Sequence, residues 1–150
     1  MLQTALGTMT ATAEGDAVTR LRFGPDGESV PGTAEERALL ERLARELNAY
    51  ARGERKRFTV PLRPAGTPFQ LQVWEALQTI PWGERRSYGQ IAAQIGRSGA
   101  ARAVGRACGA NPIVVLVPCH RVVGQNGALT GFSAPGGTGM KKRLLALEQQ

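Results

Sequence analysis

The sequence predicts an α/β protein of two lobes, a small N-terminal sheet with a helix and a mainly helical C-terminal region. Three observations carry this reading. Two strand-like runs flank the turn signal Gly15-Asp16. Helix-start signatures of the capping-box kind recur at Thr33, Thr67 and Ser87. The charge also divides: residues 1–66 hold ten Lys/Arg and nine Asp/Glu, whereas residues 67–150 hold nine and three. The expected division is residues 1–62 for the first lobe, 63–66 for a linker and 67–150 for the second.

Taken in order, residues 8–13 and 17–23 read as strands, with Ala17, Thr19, Leu21 and Phe23 sharing one face. Pro25-Asp26-Gly27 and Pro31-Gly32 break the chain. Thr33-Ala34-Glu35-Glu36 then starts a helix expected to run to about Ala51, burying Leu40, Leu43, Leu47 and Tyr50 and stopping at Gly53. Residues 58–62 read as a strand, weakened by Pro61. Thr67-Pro68-Phe69-Gln70 combines a cap, a proline at the first helical position and a glutamine three residues on. Its helix should reach about Gln78 with Phe69, Val73 and Leu77 inward, before a turn at Pro81-Trp82-Gly83.

Ser87-Tyr88-Gly89-Gln90 starts a short helix through Ile95, stopped by Gly96. A turn at Arg97-Ser98-Gly99 leads to a second short helix, 100–108, and the pair reads as a helix-turn-helix. Residues 113–117 read as a buried strand by composition. The stretch 124–139 holds six glycines and reads as a turn followed by a mobile loop, and 140–147 as a last helix.

Bulk properties narrow the function classes. The 42% hydrophobic content supports a normal core. No apolar run approaches the ~20 residues of a membrane helix. Met1-Leu2-Gln3-Thr4 has neither a basic nor a long apolar start, so no signal peptide is expected. Two cysteines and one histidine are too few for a four-ligand zinc site, and no metal or other cofactor is expected. So few cysteines fit a reducing cytoplasm better than a bridged secreted scaffold. The net charge is +7, and no carboxylate lies between Glu84 and Glu148, the span that holds all nine basic residues of the second lobe. A surface of one sign suits a polyanion, with nucleic acid the first candidate.

The chemistry centres on Val117-Pro118-Cys119-His120-Arg121-Val122-Val123, which contains the chain's only histidine. A cysteine is a useful nucleophile once a base or positive charge makes it a thiolate. On an extended strand, neighbours point to opposite faces, so the Pro118 bend or a bridging water must couple sulfur to imidazole. Glu148 is the only acid after Glu84 and the main C-terminal candidate to orient His120. Asn111 before Pro112 is a natural turn start, and a buried amide there could tie the preceding helix to the cysteine segment. Cys108, with no charged neighbour except through Arg106, reads as helix packing. The helix Ala100-Ala101-Arg102-Ala103-Val104-Gly105-Arg106-Ala107 is nearly all small residues. It suits close approach to a backbone or a narrow minor groove better than base readout in the major groove.

Several blocks in register carry a resemblance. They are Gly66-Thr67-Pro68-Phe69-Gln70 with Val73-Trp74, Ile80-Pro81-Trp82-Gly83-Glu84, Ser87-Tyr88-Gly89-Gln90-Ile91-Ala92 and Arg102-Ala103-Val104-Gly105. Asn111-Pro112, the Pro118-Cys119-His120-Arg121 run, Gly127, Leu129-Thr130-Gly131 and Leu144-Leu145 complete the set. Over residues 58–148 the chain resembles the O6-alkylguanine-DNA alkyltransferases, also called methylated-DNA–protein-cysteine methyltransferases. Residues 1–57 are similar to that family's variable N-terminal lobe only in outline.

The resemblance implies a first lobe that is ribonuclease H-like in outline and an irreversible transfer of the alkyl group of O6-alkylguanine to Cys119. O4-alkylthymine is a further candidate substrate. The resemblance also implies that the nucleotide is flipped out of the duplex from the minor-groove side. The resemblance assigns His120, acting through a water, and Glu148 to the network that draws the proton from sulfur. It matches Tyr88 to the tyrosine that donates to the guanine ring and helps rotate the phosphate, Arg102 to the finger that fills the gap left by the nucleotide, and Asn111 to the hinge. It further implies DNA contacts from Ser87, Tyr88, Ala101, Ala103, Gly105 and Arg121, and a substrate pocket from Val122, Phe132, Ser133 and Ala134. Phe132 stands where the family commonly has tyrosine, the loop around Ser133-Ala134-Pro135 is longer than usual, and the zinc ligands of some members' first lobe are missing. The implied partner is double-stranded DNA carrying the lesion, the implied state a monomer without an obligate protein partner or membrane.

Three other readings compete. An alkyltransferase-like protein that binds and flags alkylated bases would replace the acceptor cysteine, and Cys119 is present. A helix-turn-helix regulator would carry longer polar side chains on its second helix. A cysteine hydrolase rarely has its cysteine and histidine adjacent in sequence.

Overall fold

The computed structural model describes residues 2–25, 32–124 and 138–149. They form two compact units, Met1–Ala65 and Gly66–Gln150. No described helix is long and apolar enough to cross a membrane.

In the first unit, β1 (Leu2–Thr4), β2 (Gly7–Glu14) and β3 (Ala17–Phe23) make an antiparallel sheet in the order β1-β2-β3. The expected strands at 8–13 and 17–23 form, and β1 is an addition whose three residues are too short for a periodic signal. Gly15 takes the left-handed conformation at the hairpin turn, φ +62°. The register shifts between Thr12 and Ala13, so the alternation of β3 is broken and Val18 is buried along with Ala17 and Leu21. Phe23, expected on the inner face, is only partly covered.

α1 (Ala34–Ala51) starts at the expected capping box, Thr33 with Glu36, and buries Leu40, Leu43, Leu47 and Tyr50 as its spacing predicts. Glu36 also accepts from the Gly15 amide at 2.8 Å, fastening the hairpin turn to the start of the helix. The strand expected at 58–62 does not form. Val18 donates to the Pro61 carbonyl, Arg63 donates to the Val18 carbonyl, and only Leu62 makes a single parallel bridge to Val18. Pro61 has no N–H to extend a ladder, and the Thr59 amide is taken by the buried Glu46 carboxylate at 2.8 Å.

The second unit opens with α2 (Pro68–Leu77), capped by the Thr67 and Gln70 box. Val73 and Leu77 are buried as expected, Phe69 is half-buried, and Trp74 is buried on the neighbouring face. The Trp74 indole N–H donates to the Ala107 carbonyl at 2.9 Å and so ties α2 to α4 (Ala101–Gly109). β4 (Arg86–Ser87) leads into α3 (Tyr88–Gln94), capped by Ser87 and Gln90. α3 and α4 pack together across a turn where Gly96 and Gly99 have positive φ.

Residues 113–117, expected as a strand, are instead a buried turn. The Leu116 amide donates to the Val114 carbonyl, the Val117 amide donates to the Ile113 carbonyl, and Val115 sits at φ +71°. The apolar composition is right for burial, but the backbone's partners are local. Cys119–Arg121 forms a single turn of 3₁₀ helix, and β5 (Val122–Val123) pairs in parallel with β4. α5 (Thr138–Leu147) closes the unit, with Leu144 and Leu145 buried. Most of the glycine-rich stretch 124–139 lies outside the described residues, as do Phe132, Ser133 and Ala134.

Candidate active site

The site is assembled where α4 ends. Asn111 follows the helix, and its amide has two tasks. Its Oδ1 accepts from the Ile113 amide at 2.9 Å, while Nδ2 donates to the Val117 carbonyl at 2.8 Å and to Cys119 Sγ at 3.3 Å. One side chain therefore staples both ends of the 113–117 turn and touches the sulfur they present. The turn replaces the strand geometry that would have sent Cys119 and His120 to opposite faces.

Cys119 is 3% exposed. Burial pushes its thiol above the ordinary range, while the Asn111 hydrogen bond and the Lys141 ammonium pull it back. Cys108 is pushed up to about 12, chiefly by burial, and remains a thiol. It packs inside α4 as its surroundings in sequence suggested.

His120 is fully buried, with Nε2 at 2.7 Å from Glu148 Oε2. Burial lowers the imidazole's basicity, and the Glu148 hydrogen bond and charge oppose that shift. The other ring nitrogen, Nδ1, is buried with no hydrogen-bond partner among the described residues. Glu148 reaches the site from just beyond α5. At 2% exposure its carboxylate is buried.

Arg121 requires a correction. It was expected among the DNA contacts, yet it is 7% exposed and its guanidinium is committed inward. Nε donates to Glu148 Oε1 and Nη2 to Glu148 Oε2, both at 2.9 Å, and Nη1 donates to the Ile80 carbonyl at 2.6 Å. A fork–fork pair of this kind is the strong form of an Arg–carboxylate contact.

Lys141 escaped the sequence reading. It is 1% exposed, and its ammonium lies 5.8 Å from the centroid of the Tyr88 ring. Burial lowers its pKa, and the two thiols, Cys119 first, act against that. A signal was present: Lys141, Leu144, Leu145 and Glu148 follow the i, i+3, i+4, i+7 spacing of one helix face. A lysine on the inward stripe is buried for a reason, but the run Lys141-Lys142-Arg143 reads at first as surface charge.

Tyr88, the first residue of α3, is half-buried with its ring over Gly105, where a Cβ would stand 3.8 Å from the ring. The Ser87 hydroxyl accepts from the Gln90 amide as the cap of α3. On α4, Arg102 and Arg106 are exposed while Ala101, Ala103 and Gly105 are partly covered. Val122 is fully buried in β5. Among the described residues, no group of three His, Cys, Asp or Glu side chains is placed to hold a metal ion.

Chemically, this is a sequestered thiol with an amide donor, a cation to favour its thiolate, and a buried imidazole–carboxylate–guanidinium chain beside it. A thiolate in this setting can attack an electrophilic carbon, and attack on an alkyl carbon leaves an inert thioether.

Comparison with known proteins gives the same picture. The family model described as 6-O-methylguanine DNA methyltransferase, DNA binding domain, matches residues 68–150. A methylated-DNA–protein-cysteine methyltransferase of Mycobacterium tuberculosis is 44% identical over 99% of this chain and 90% of its own length. The inducible methylated-DNA–protein-cysteine methyltransferase of Bacillus subtilis is 52% identical over 80% of this chain and 67% of its own. The crystal structure of Mycobacterium tuberculosis OGT in complex with DNA superposes with a TM-score of 0.86 at 45% identity, covering 99% of this chain and 90% of that one. From a match spanning more than half its length and relatives that cover nearly all of it, the chain belongs to the 6-O-methylguanine DNA methyltransferase family.

Proposed function

We propose that this protein repairs DNA by direct reversal, moving the alkyl group of O6-alkylguanine onto Cys119 in a single irreversible turnover. The observation that carries this is the buried Cys119 sulfur held by the Asn111 amide at 3.3 Å, beside the His120–Glu148 pair at 2.7 Å. A thiolate is a soft nucleophile and the alkyl carbon a soft electrophile. The S–H proton passes to His120, through a water. The C–S bond forms as the C–O bond breaks, and the electrons of that bond pass to the guanine ring. The Tyr88 hydroxyl donates to the ring as its negative charge develops. Lys141 favours the thiolate electrostatically. Cys119 ends as a thioether, so each molecule acts once.

The lesion lies inside the duplex, so the nucleotide must rotate out. α3 and α4 serve as a helix-turn-helix, with α4 in the minor groove. Its small residues Ala101, Ala103 and Gly105 allow close approach, Arg102 fills the vacated stack, and Ser87 meets the backbone. The partner is double-stranded DNA with the alkylated base, and the protein works as a cytoplasmic monomer with no obligate protein partner. The first unit is ribonuclease H-like in outline, and the linker falls at 63–66.

Intact mass after incubation with a duplex holding one O6-methylguanine tests the reading, with Cys119→Ser beside it. A gain of one methyl group on the unsubstituted protein only, saturating at one per molecule, is expected. Tight lesion binding without any gain would favour a protein that binds and flags alkylated bases.

A further inference from the structure

We infer that Arg121 is a positioning residue that sets the tautomer of His120 through Glu148. The geometry is closed on every side. Both oxygens of the fully buried carboxylate accept from Arg121, at 2.9 Å each, and Oε2 also faces His120 Nε2 at 2.7 Å. The third guanidinium contact, Nη1 to the Ile80 carbonyl at 2.6 Å, fixes the fork in place.

The consequence follows from donor and acceptor counting. A buried carboxyl group with no cation beside it tends to keep its proton. A protonated Glu148 could donate to His120 Nε2, and the ring would then carry its hydrogen on Nδ1. With Arg121 donating twice, the carboxylate stays ionised and can only accept. Nε2 must then be the nitrogen that bears hydrogen. Nδ1, the buried atom with no protein partner among the described residues, is left as the proton acceptor. A guanidinium bonded to Glu148 and the Ile80 carbonyl thus decides which nitrogen can take the thiol's proton. The other charges acting on His120 are Glu148, which raises its basicity, and Lys141, which joins Arg121 in lowering it. The fork is specific to Arg121, whose guanidinium donates to both Glu148 oxygens.

The sequence contains one histidine, so an untagged, ¹⁵N-labelled sample gives a single imidazole. Its two nitrogens can be read by long-range ¹H–¹⁵N correlation in neutral buffer. The unsubstituted protein is expected to show Nε2 protonated and Nδ1 bare, and the reverse pattern would overturn the inference without any variant. Arg121→Met should move hydrogen toward Nδ1 and slow methyl transfer on the order of 100-fold, the scale of a lost general base. Arg121→Lys, which keeps charge but loses the fork, should retain the Nε2 tautomer and recover part of the rate. Removing one partner of a buried pair destabilises a fold, so the Lys variant also stands in where the Met variant does not fold. A folded Arg121→Met protein with an unchanged tautomer, or an Arg121→Lys protein with the Nδ1 form, would sink the idea. Only the rate measurement rests on the alkyl-transfer reading. Absence of methyl transfer by the unsubstituted protein would count against that reading and leave the tautomer result standing.

Discussion

The side-chain amide of Asn111 donates to Cys119 Sγ and to the Val117 carbonyl with the same nitrogen, at 3.3 and 2.8 Å. The end of α4 and the reactive sulfur are therefore joined by one rotatable group.

Asn111→Leu keeps the branched shape and the number of side-chain heavy atoms and removes both the donor and the acceptor. The buried Ile113 amide loses its partner, at about 1–3 kcal/mol, while the Val117 carbonyl keeps the Cys119 amide as a donor. The thiol also loses its donor, so its pKa rises further. Thermal unfolding should show the lost stability, and the pH dependence of Cys119 alkylation by a small reagent should move upward. A variant with unchanged alkylation at every pH would remove Asn111 from the account of the thiol.

Lys141→Met separates charge from packing. The ammonium is held below its ordinary 10.5 mainly by burial, so the folded state gains little from the charge itself. An apolar side chain of similar length should leave the melting temperature level or higher. The thiolate loses its cation, and Cys119 should react more slowly at neutral pH. A drop in stability with full reactivity would assign Lys141 to structure alone.

Gly66→Ala tests a packing constraint at the start of the second unit. A Cβ there would stand 2.6 Å from two carbons of the Trp74 ring, itself held by its bond to the Ala107 carbonyl. Overpacking of this kind costs about 1–3 kcal/mol. Trp74→Phe in the Gly66→Ala background should recover part of it, because the clashing ring atoms are gone. If the single variant melts as the unsubstituted protein does, the Trp74 ring has room to shift.

What could be read from sequence was what is decided locally. The three capping boxes need only residues i and i+3, and all three form with both reciprocal hydrogen bonds. Residues 113–117 failed for the opposite reason. Five apolar residues report burial, but the turn is imposed by Asn111 and by Val115 in a conformation its branched side chain disfavours. Arg121 was misplaced because its partner is Glu148, 27 residues later, and nothing in the order of residues says that the two charges meet inside. Cys119, His120 and Glu148 were legible as a set because this chain has one histidine and one late acid.

The same buried groups dictate how stability depends on pH. Burial holds the His120 imidazole below its ordinary 6.5. The unfolded chain then takes up a proton before the folded one, and stability falls as pH drops below 6.5. Glu46 adds a later loss: burial raises its carboxyl, but the Thr59 hydrogen bonds and the nearby arginines more than reverse that, so its contribution fades as pH falls below 4.5. On the alkaline side, burial holds Cys119 and Cys108 above 9.0, so the unfolded chain releases protons first and stability falls again. Lys141 works in the opposite sense as pH approaches 10.5 and softens that limb. Melting temperature plotted against pH should therefore show a plateau between 6.5 and 9.0 with losses on both sides. His120→Gln keeps a donor toward Glu148 but cannot titrate, so its acid limb should stay flat until the carboxylates protonate. If that variant loses stability between pH 6.5 and 4.5 as steeply as the unsubstituted protein, the imidazole is not the group responsible.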